Sequence, residues 1–282
     1  MLKQRILTAI VLLAVLIPAL WVDAPAPFAL LSLLMIGAAG WEWARLNGLP
    51  GFGAHLMGAA VMALCVAALQ AVFSQGSPAE NLLRLWWVGT LLWVIGGSAA
   101  LYGGVGAWPL VPRVLRWLLG MVLLVLAWLA IMAARAKGLN FLFSIFCLVW
   151  MADSAAYFGG RAWGRRKLAP TISPGKSWAG AYTGALAVLV MAGVWQAVEG
   201  PLGAAHPSLF GLLMQRYGWL GLVACSVFLT VFSVVGDLFE SLVKRSAGAK
   251  DSSQLLPGHG GVLDRVDALL PVFPIAMWVV SV

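Results

Sequence analysis

The chain has 282 residues, 62% of them hydrophobic and 10% charged, with a formal net charge of +8 at pH 7. A soluble domain carries roughly 25% charged residues, so this sequence cannot clothe itself in polar surface, and lipid must be the solvent for much of it. The basic excess does not call for nucleic acid, because lysines and arginines that flank membrane spans set orientation and meet anionic headgroups.

In chain order, apolar runs close to the roughly 20 residues that cross a bilayer core predict nine spans, at about 6–22, 27–44, 55–73, 84–102, 114–134, 139–159, 178–198, 218–243 and 266–282. Lys3 and Arg5 ahead of the first run imitate a secretory signal. That run is longer than a signal core, however, and a second span follows within a few residues, so it is expected to stay as the first transmembrane helix. Proline- and glycine-bearing breaks separate most spans, as at Asp23–Pro27, Asn47–Gly51 and Trp108–Pro112. The eighth span is expected to run past its apolar stretch and carry Asp237, Glu240 and Lys244 into the loop that follows. Cys65, Cys147 and Cys225 lie far apart inside apolar runs, with neither disulfide nor metal-ligand spacing. The 15 tryptophans are read as packing and interfacial anchors.

With the N-terminus inside, 14 of the 18 basic residues fall on the cytoplasmic side, and only Arg84, Arg135, Lys137 and Arg216 fall opposite. The positive-inside rule therefore selects N-in and C-out, with loops 160–177 and 244–265 in the cytoplasm. The expected fold is an all-α polytopic helical bundle of about nine transmembrane helices, one integrated membrane domain. Residues 1–135 are its scaffold, with lipid or dimer contacts, and residues 136–282 carry the catalytic helices and loops.

Of ten acidic residues, Asp153, Asp237, Glu240, Asp251, Asp264 and Asp267 lie in or beside the loops after spans six and eight. An Asp at a helix centre costs about 2.5–3.5 kcal/mol on insertion scales, so such carboxylates mark a site that binds a cation or acts chemically. Asp237 with Glu240, and Asp264 with Asp267, are each spaced i, i+3 and so share a helix face. Two facing pairs make an all-oxygen site suited to Mg²⁺ and substrate phosphates, with Lys244, Arg245, Lys250 and Arg265 beside it to neutralise a polyphosphate. Pro257, Gly258, Gly260 and Gly261 let the intervening backbone approach a ligand closely. Gly175-Lys176-Ser177 is not a P-loop, because Pro170 stands where the motif needs glycine. Arg161, Arg165, Arg166 and Lys167 read as topogenic charges, and His55 and His206 receive no role.

The segment from Ser241 to Asp267 has the order Ser-x-x-Lys-Arg, Lys-Asp, Pro-x-His-Gly-Gly-x-x-Asp-Arg-x-Asp, and it resembles the signature of the phosphatidate cytidylyltransferase family. A second segment, Asp153 to Gly180 with its Ser173-Pro-Gly-Lys-Ser-Trp178, is similar to that family's other characteristic stretch. Two positions depart from the family: Ala268 stands for Ser and Ala179 for Glu.

The resemblance implies a Mg²⁺-dependent nucleotidyltransferase that makes CDP-diacylglycerol and pyrophosphate from CTP and phosphatidate, with one metal ion or a second cation beside it. It implies Asp237, Asp264, Lys250 and His259 as catalytic groups, and Asp237, Glu240, Asp264 and Asp267 as metal ligands. Ser173, Lys176, Ser177, Lys244, Arg245, Arg265, Asp153 and Asp251 are implied as substrate contacts. It further implies a homodimer. The charge count puts the site on the cytoplasmic side among membrane lipids, and the basic excess calls for no nucleic-acid partner. The absence of a transit peptide or long tail leads to the expectation of a bacterial cytoplasmic membrane. A cation-coupled transporter is the rival on hydropathy alone, but the carboxylates cluster at loops and not at a midplane between repeats. A CDP-alcohol phosphotransferase is the nearer rival, but its denser Asp-x-x-Asp-Gly helix motif is absent from the sequence.

Overall fold

A computed structural model describes residues 2–22, 24–74, 78–201 and 203–282, with the side chains of all but 2–7, 9, 73–74 and 78–81. Asp23 of the first break and the side chains of Lys3 and Arg5 lie outside the described residues. The chain is almost wholly helical, in the order α1 Leu2–Trp21, α2 Ala26–Leu46, α3 Phe52–Ser74, α4 Pro78–Leu91, α5 Ser98–Ala107, α6 Arg113–Lys137, α7 Leu139–Trp163, α8 Trp178–Glu199, α9 Leu209–Ser246, α10 Leu263–Val266 and α11 Leu269–Ser281. A π-helical turn, Leu92–Gly97, joins α4 to α5.

Among the described residues seven helical stretches are long and apolar enough to cross a membrane, and they fall on the second to eighth predicted spans. The first predicted span is α1, of which Ile10–Trp21 forms a shorter apolar helix. The ninth is α11, only 13 residues long and buried on nearly every side. At 1.5 Å per residue it reaches about 20 Å, so it is the centre of the bundle, packed on α4, α6, α7 and α9.

Glycine and capping serines set where helices start and stop. Ser177 caps α8 by accepting from Gly180 N at 3.2 Å, and Ser208 caps α9 by accepting from Gly211 N at 2.9 Å. Gly218, at φ 64°, breaks α9 where the eighth span was expected to begin, so the apolar helix proper follows it. Past that point α9 continues without a break to Ser246, so Asp237 and Glu240 lie on the helix as their spacing required, and Lys244, expected at the start of the next loop, is still helical. Among the described residues the departures from an all-α description are a short antiparallel ribbon, pairing β1 Lys167–Ala169 with β2 Ser173–Ser177 directly before α8, and an isolated bridge between Leu256 and Gly260.

The most extensive helix pair is α7 with α8, and small residues allow its close approach. A Cβ at Gly180 would lie 2.7 Å from the Ala156 carbonyl oxygen, and one at Gly184 2.8 Å from that of Ala152. On the other side of the bundle Phe239 of α9 is enclosed by the rings of Trp43, Trp93 and Trp108, at centroid distances of 5.3–6.0 Å. These contacts lock α2 and α4–α5 to the helix that carries the carboxylates.

Gly184→Val should force α7 and α8 apart and lower stability by about 1–3 kcal/mol. Thermal unfolding in detergent reads this, and an unchanged midpoint would refute the close packing.

Candidate active site

Asp237, Glu240 and Lys244 stand at i, i+3 and i+7 on α9, which places them along one face of the helix. Glu240 is 2% exposed. The Lys244 ammonium lies 2.5 Å from Glu240 Oε2 and 2.6 Å from Asp264 Oδ1, so one cation is shared by two buried carboxylates. Apart from that ion pair, neither Glu240 oxygen has a donor among the described residues.

The second Asp264 oxygen accepts from Ser252 N at 2.9 Å, Ser252 Oγ at 2.7 Å and Gly261 N at 2.8 Å. Asp264 thereby closes the loop that leads from α9 into α10, and the turn needs Gly260 at φ +84°, where a side chain is strained. Burial raises the Asp264 carboxyl, but the hydrogen bonds from Lys244, Gly261 and Ser252 outweigh it and bring it down to about 2. A depressed acid stabilises the fold fully above its ordinary value near 4 and loses that contribution as the pH falls towards 2.

The second sequence segment folds onto the first. The β ribbon delivers Lys176 to within 2.7 Å of Asp237 Oδ2, with Ser241 Oγ 3.3 Å from the other Asp237 oxygen. Asp153 on α7 is within electrostatic reach of Lys176 and Asp237. Asp267, between α10 and α11, is within reach of Asp153, Asp237 and Lys244 and accepts from Ala268 N at 2.7 Å. Residues more than a hundred positions apart thus form one cluster of five carboxylates and two lysines, a formal excess of three negative charges when all are ionised.

The remaining candidates are placed around this cluster. Lys250 and Asp251 are exposed and line an open cavity of about 800 Å³ with Trp41, Arg45, Ser252 and Ser253. Arg265 is exposed and donates to the His259 carbonyl at 2.7 Å, while His259 Nδ1 is buried without a partner among the described residues. Arg245 donates to the Ala249 carbonyl, at 3.4 Å. Ser173 begins β2, and Ser177 is spent on capping α8.

One residue of the site came from no motif. Glu42 of α2 is fully buried and accepts from Ser253 Oγ, Val262 N and Leu263 N in the glycine loop. Its signal was present in the sequence, as a carboxylate inside an apolar run.

The donor set fits a divalent cation in its chemistry. Carboxylates outnumber cations, and Glu240 is a buried anion whose oxygens lack hydrogen-bond donors. As they stand, no three His, Cys, Asp or Glu side chains among the described residues are gathered tightly enough to hold a metal ion.

The fold and the cluster define a helical integral membrane protein with a site of acidic and lysine side chains beside a glycine-rich loop. Within that class the chain belongs to the cytidylyltransferase family, whose model matches residues 3–282. It is 38% identical to a phosphatidate cytidylyltransferase of Pseudomonas aeruginosa over 286 residues, 99% of this chain and 97% of that protein. Against the Haemophilus influenzae phosphatidate cytidylyltransferase it is 37% identical over 295 residues, covering 97% and 96% of the two chains. The Bacillus subtilis protein of the same name matches at 42% over 137 residues, 49% of this chain and 46% of that one.

Lys244→Met leaves Glu240 and Asp264 as unpaired buried charges and should cost about 3–5 kcal/mol. Loss of the folded, monodisperse detergent species at temperatures the wild type survives would show this, and a wild-type melting curve would contradict it.

Proposed function

We propose that this chain transfers the cytidylyl group of CTP to phosphatidate, giving CDP-diacylglycerol and pyrophosphate. The observation that carries the reading is the 2.7 Å contact of Lys176 with Asp237, which brings the two motif segments into one site. Family membership over nearly the full chain supports it, as do the named relatives.

The phosphate of phosphatidate is itself an adequate nucleophile, so the reaction needs no serine or cysteine intermediate. A phosphatidate oxygen attacks the α-phosphorus in line, the bond from that phosphorus to the bridging oxygen breaks, and pyrophosphate leaves with the electron pair. Lys176 and Lys244 stand where they can meet phosphate oxygens and stabilise the charge that develops on pyrophosphate. Lys250, at the open cavity, extends the positive charge towards solvent. Asp237, Glu240 and Asp267 would hold Mg²⁺, with Asp264 already engaged on both oxygens. An ion held there would supply positive charge against the phosphate groups of the two substrates.

The reading includes N-in, C-out topology in a bacterial cytoplasmic membrane, the site on the cytoplasmic side, and a homodimer. Besides the charge asymmetry, the meeting of β2 with α9, the helix that leads into the 244–265 loop, supports one side for both loops.

Radiolabelled CTP with phosphatidate in detergent should yield lipid-soluble label and pyrophosphate, and absence of both would overturn the reading. Asp237→Asn should lower the rate by roughly a thousandfold or more and change the Mg²⁺ dependence. If Asp237 served only as the partly exposed partner of Lys176, the loss would be about 1 kcal/mol or less, in stability.

Topology has its own check. With the native cysteines replaced, a cysteine at position 282 should react with an impermeant reagent on intact cells, and one at 166 should not. The reverse pattern would remove the site from the cytoplasmic face.

A further inference from the structure

We infer that Glu42 is a positioning residue for the reaction proposed above, holding the 252–263 loop, and through it Asp264 and Lys244, at the site. This rests on that reading of the site. Glu42 is 0% exposed, and none of the described basic side chains forms an ion pair with it. A buried carboxylate without a cation survives only if hydrogen bonds satisfy it, and here every one of them comes from the loop.

Glu42 Oε1 accepts from Ser253 Oγ at 2.5 Å and Val262 N at 3.0 Å. Its Oε2 accepts from Leu263 N at 2.6 Å and lies 3.2 Å from Ser252 Oγ. The same Ser252 hydroxyl is 2.7 Å from Asp264 Oδ2, so one serine connects the two carboxylates. The Ser253 hydroxyl and the Val262 and Leu263 amides all donate to Glu42, one or more to each oxygen, while the single Ser252 proton goes to Asp264. This selects a carboxylate over an amide, since glutamine must turn an NH₂ towards one of those donors.

Gly261 independently marks the same contact. A Cβ there would lie 2.3 Å from Glu42 Oε1 and 2.0 Å from Ser252 Oγ, so the second glycine of His-Gly-Gly leaves room for Glu42 and Ser252. The helix that carries Glu42 is itself fixed. Trp43 Nε1 donates to the Arg116 carbonyl at 2.8 Å, and Asn47 accepts from the indoles of Trp108 and Trp117 at 3.0 and 3.1 Å. Trp43 also stacks on Phe239, the neighbour of Glu240 in sequence. Glu42 thus transmits the position of a rigid helix to a glycine loop that has little stiffness of its own.

The test is Glu42→Gln in the full-length protein, read by turnover and by amide hydrogen exchange. Amides 252–263 should exchange at least tenfold faster than in the wild type. The kcat per folded molecule should fall at least tenfold, with the KM for phosphatidate within twofold. Unchanged exchange in the loop overturns the inference whatever the turnover. Faster exchange with wild-type kcat also overturns it, reducing Glu42 to a tie in the fold. If Glu42→Gln fails to fold, Ser253→Ala removes one donor and carries the test. It should lower kcat at least threefold at unchanged phosphatidate KM, and a wild-type kcat would refute the inference. A wild-type protein that makes no lipid-soluble label refutes the proposed function instead, and amide exchange then decides on its own whether Glu42 holds the loop.

Discussion

The ammonium of Lys244 sits between Glu240 and Asp264, and that shared charge fixes where α9 meets the loop that follows it. In a bundle solvated by lipid, a buried carboxylate with no partner costs several kcal/mol, so the loop cannot drift from the helix without exposing that penalty on both sides. The position of Asp264 sets that of Ser252 and Gly261, which it binds, and these in turn place the backbone of the glycine loop. Packing places the helices, while this electrostatic contact places the loop.

The same logic draws the first half of the chain into the site. An apolar scaffold has no reason to retain a buried glutamate, yet α2 presents Glu42 to the loop, and indole hydrogen bonds at Trp43 and Asn47 anchor the helix that carries it. The C-terminal end of α2 also supplies Trp41 and Arg45 to the cavity beside Lys250, where the Arg45 guanidinium lies 4.7 Å from the Trp41 ring centroid. Tryptophans that composition assigned to general packing therefore include three with a definite task, Trp43, Trp108 and Trp117.

A membrane-embedded nucleotidyltransferase faces a geometric problem, because one substrate arrives through water and the other keeps its tails in the bilayer. On the function proposed above, charged groups along the end of a membrane helix would address both at once. Asp237 and Glu240 stand further down α9 than Lys244, and Lys250 and Asp251 stand out at the open cavity. The short ribbon before α8 adds Lys176 from a second direction without sending another helix through the cluster. Close packing of α7 on α8 through Gly180 and Gly184 keeps Asp153 and the ribbon on the same rigid pair.

The membrane character, the helical class and most span positions were determined by the sequence alone, because a run of apolar residues has few options in lipid beyond a helix. The motif segments, with Asp237, Asp264 and Lys176 in them, were also legible, since residue type and local spacing carry that information. Tertiary structure decided what those residues do to one another. That Lys176 pairs with Asp237, that Lys244 is shared, and that Asp264 gives one oxygen to Lys244 of α9 and the other to its own loop are facts of distance between remote positions, which no local pattern encodes. The sequence carried the eighth span past its apolar stretch, and only the helical state of its last residues, Lys244 to Ser246, was left to the structure, because charged residues end an apolar run without ending a helix. Glu42 was hidden for the complementary reason: a single acid in an apolar helix signals that something is there, and only the packing of α2 against the glycine loop supplies the donors that explain it.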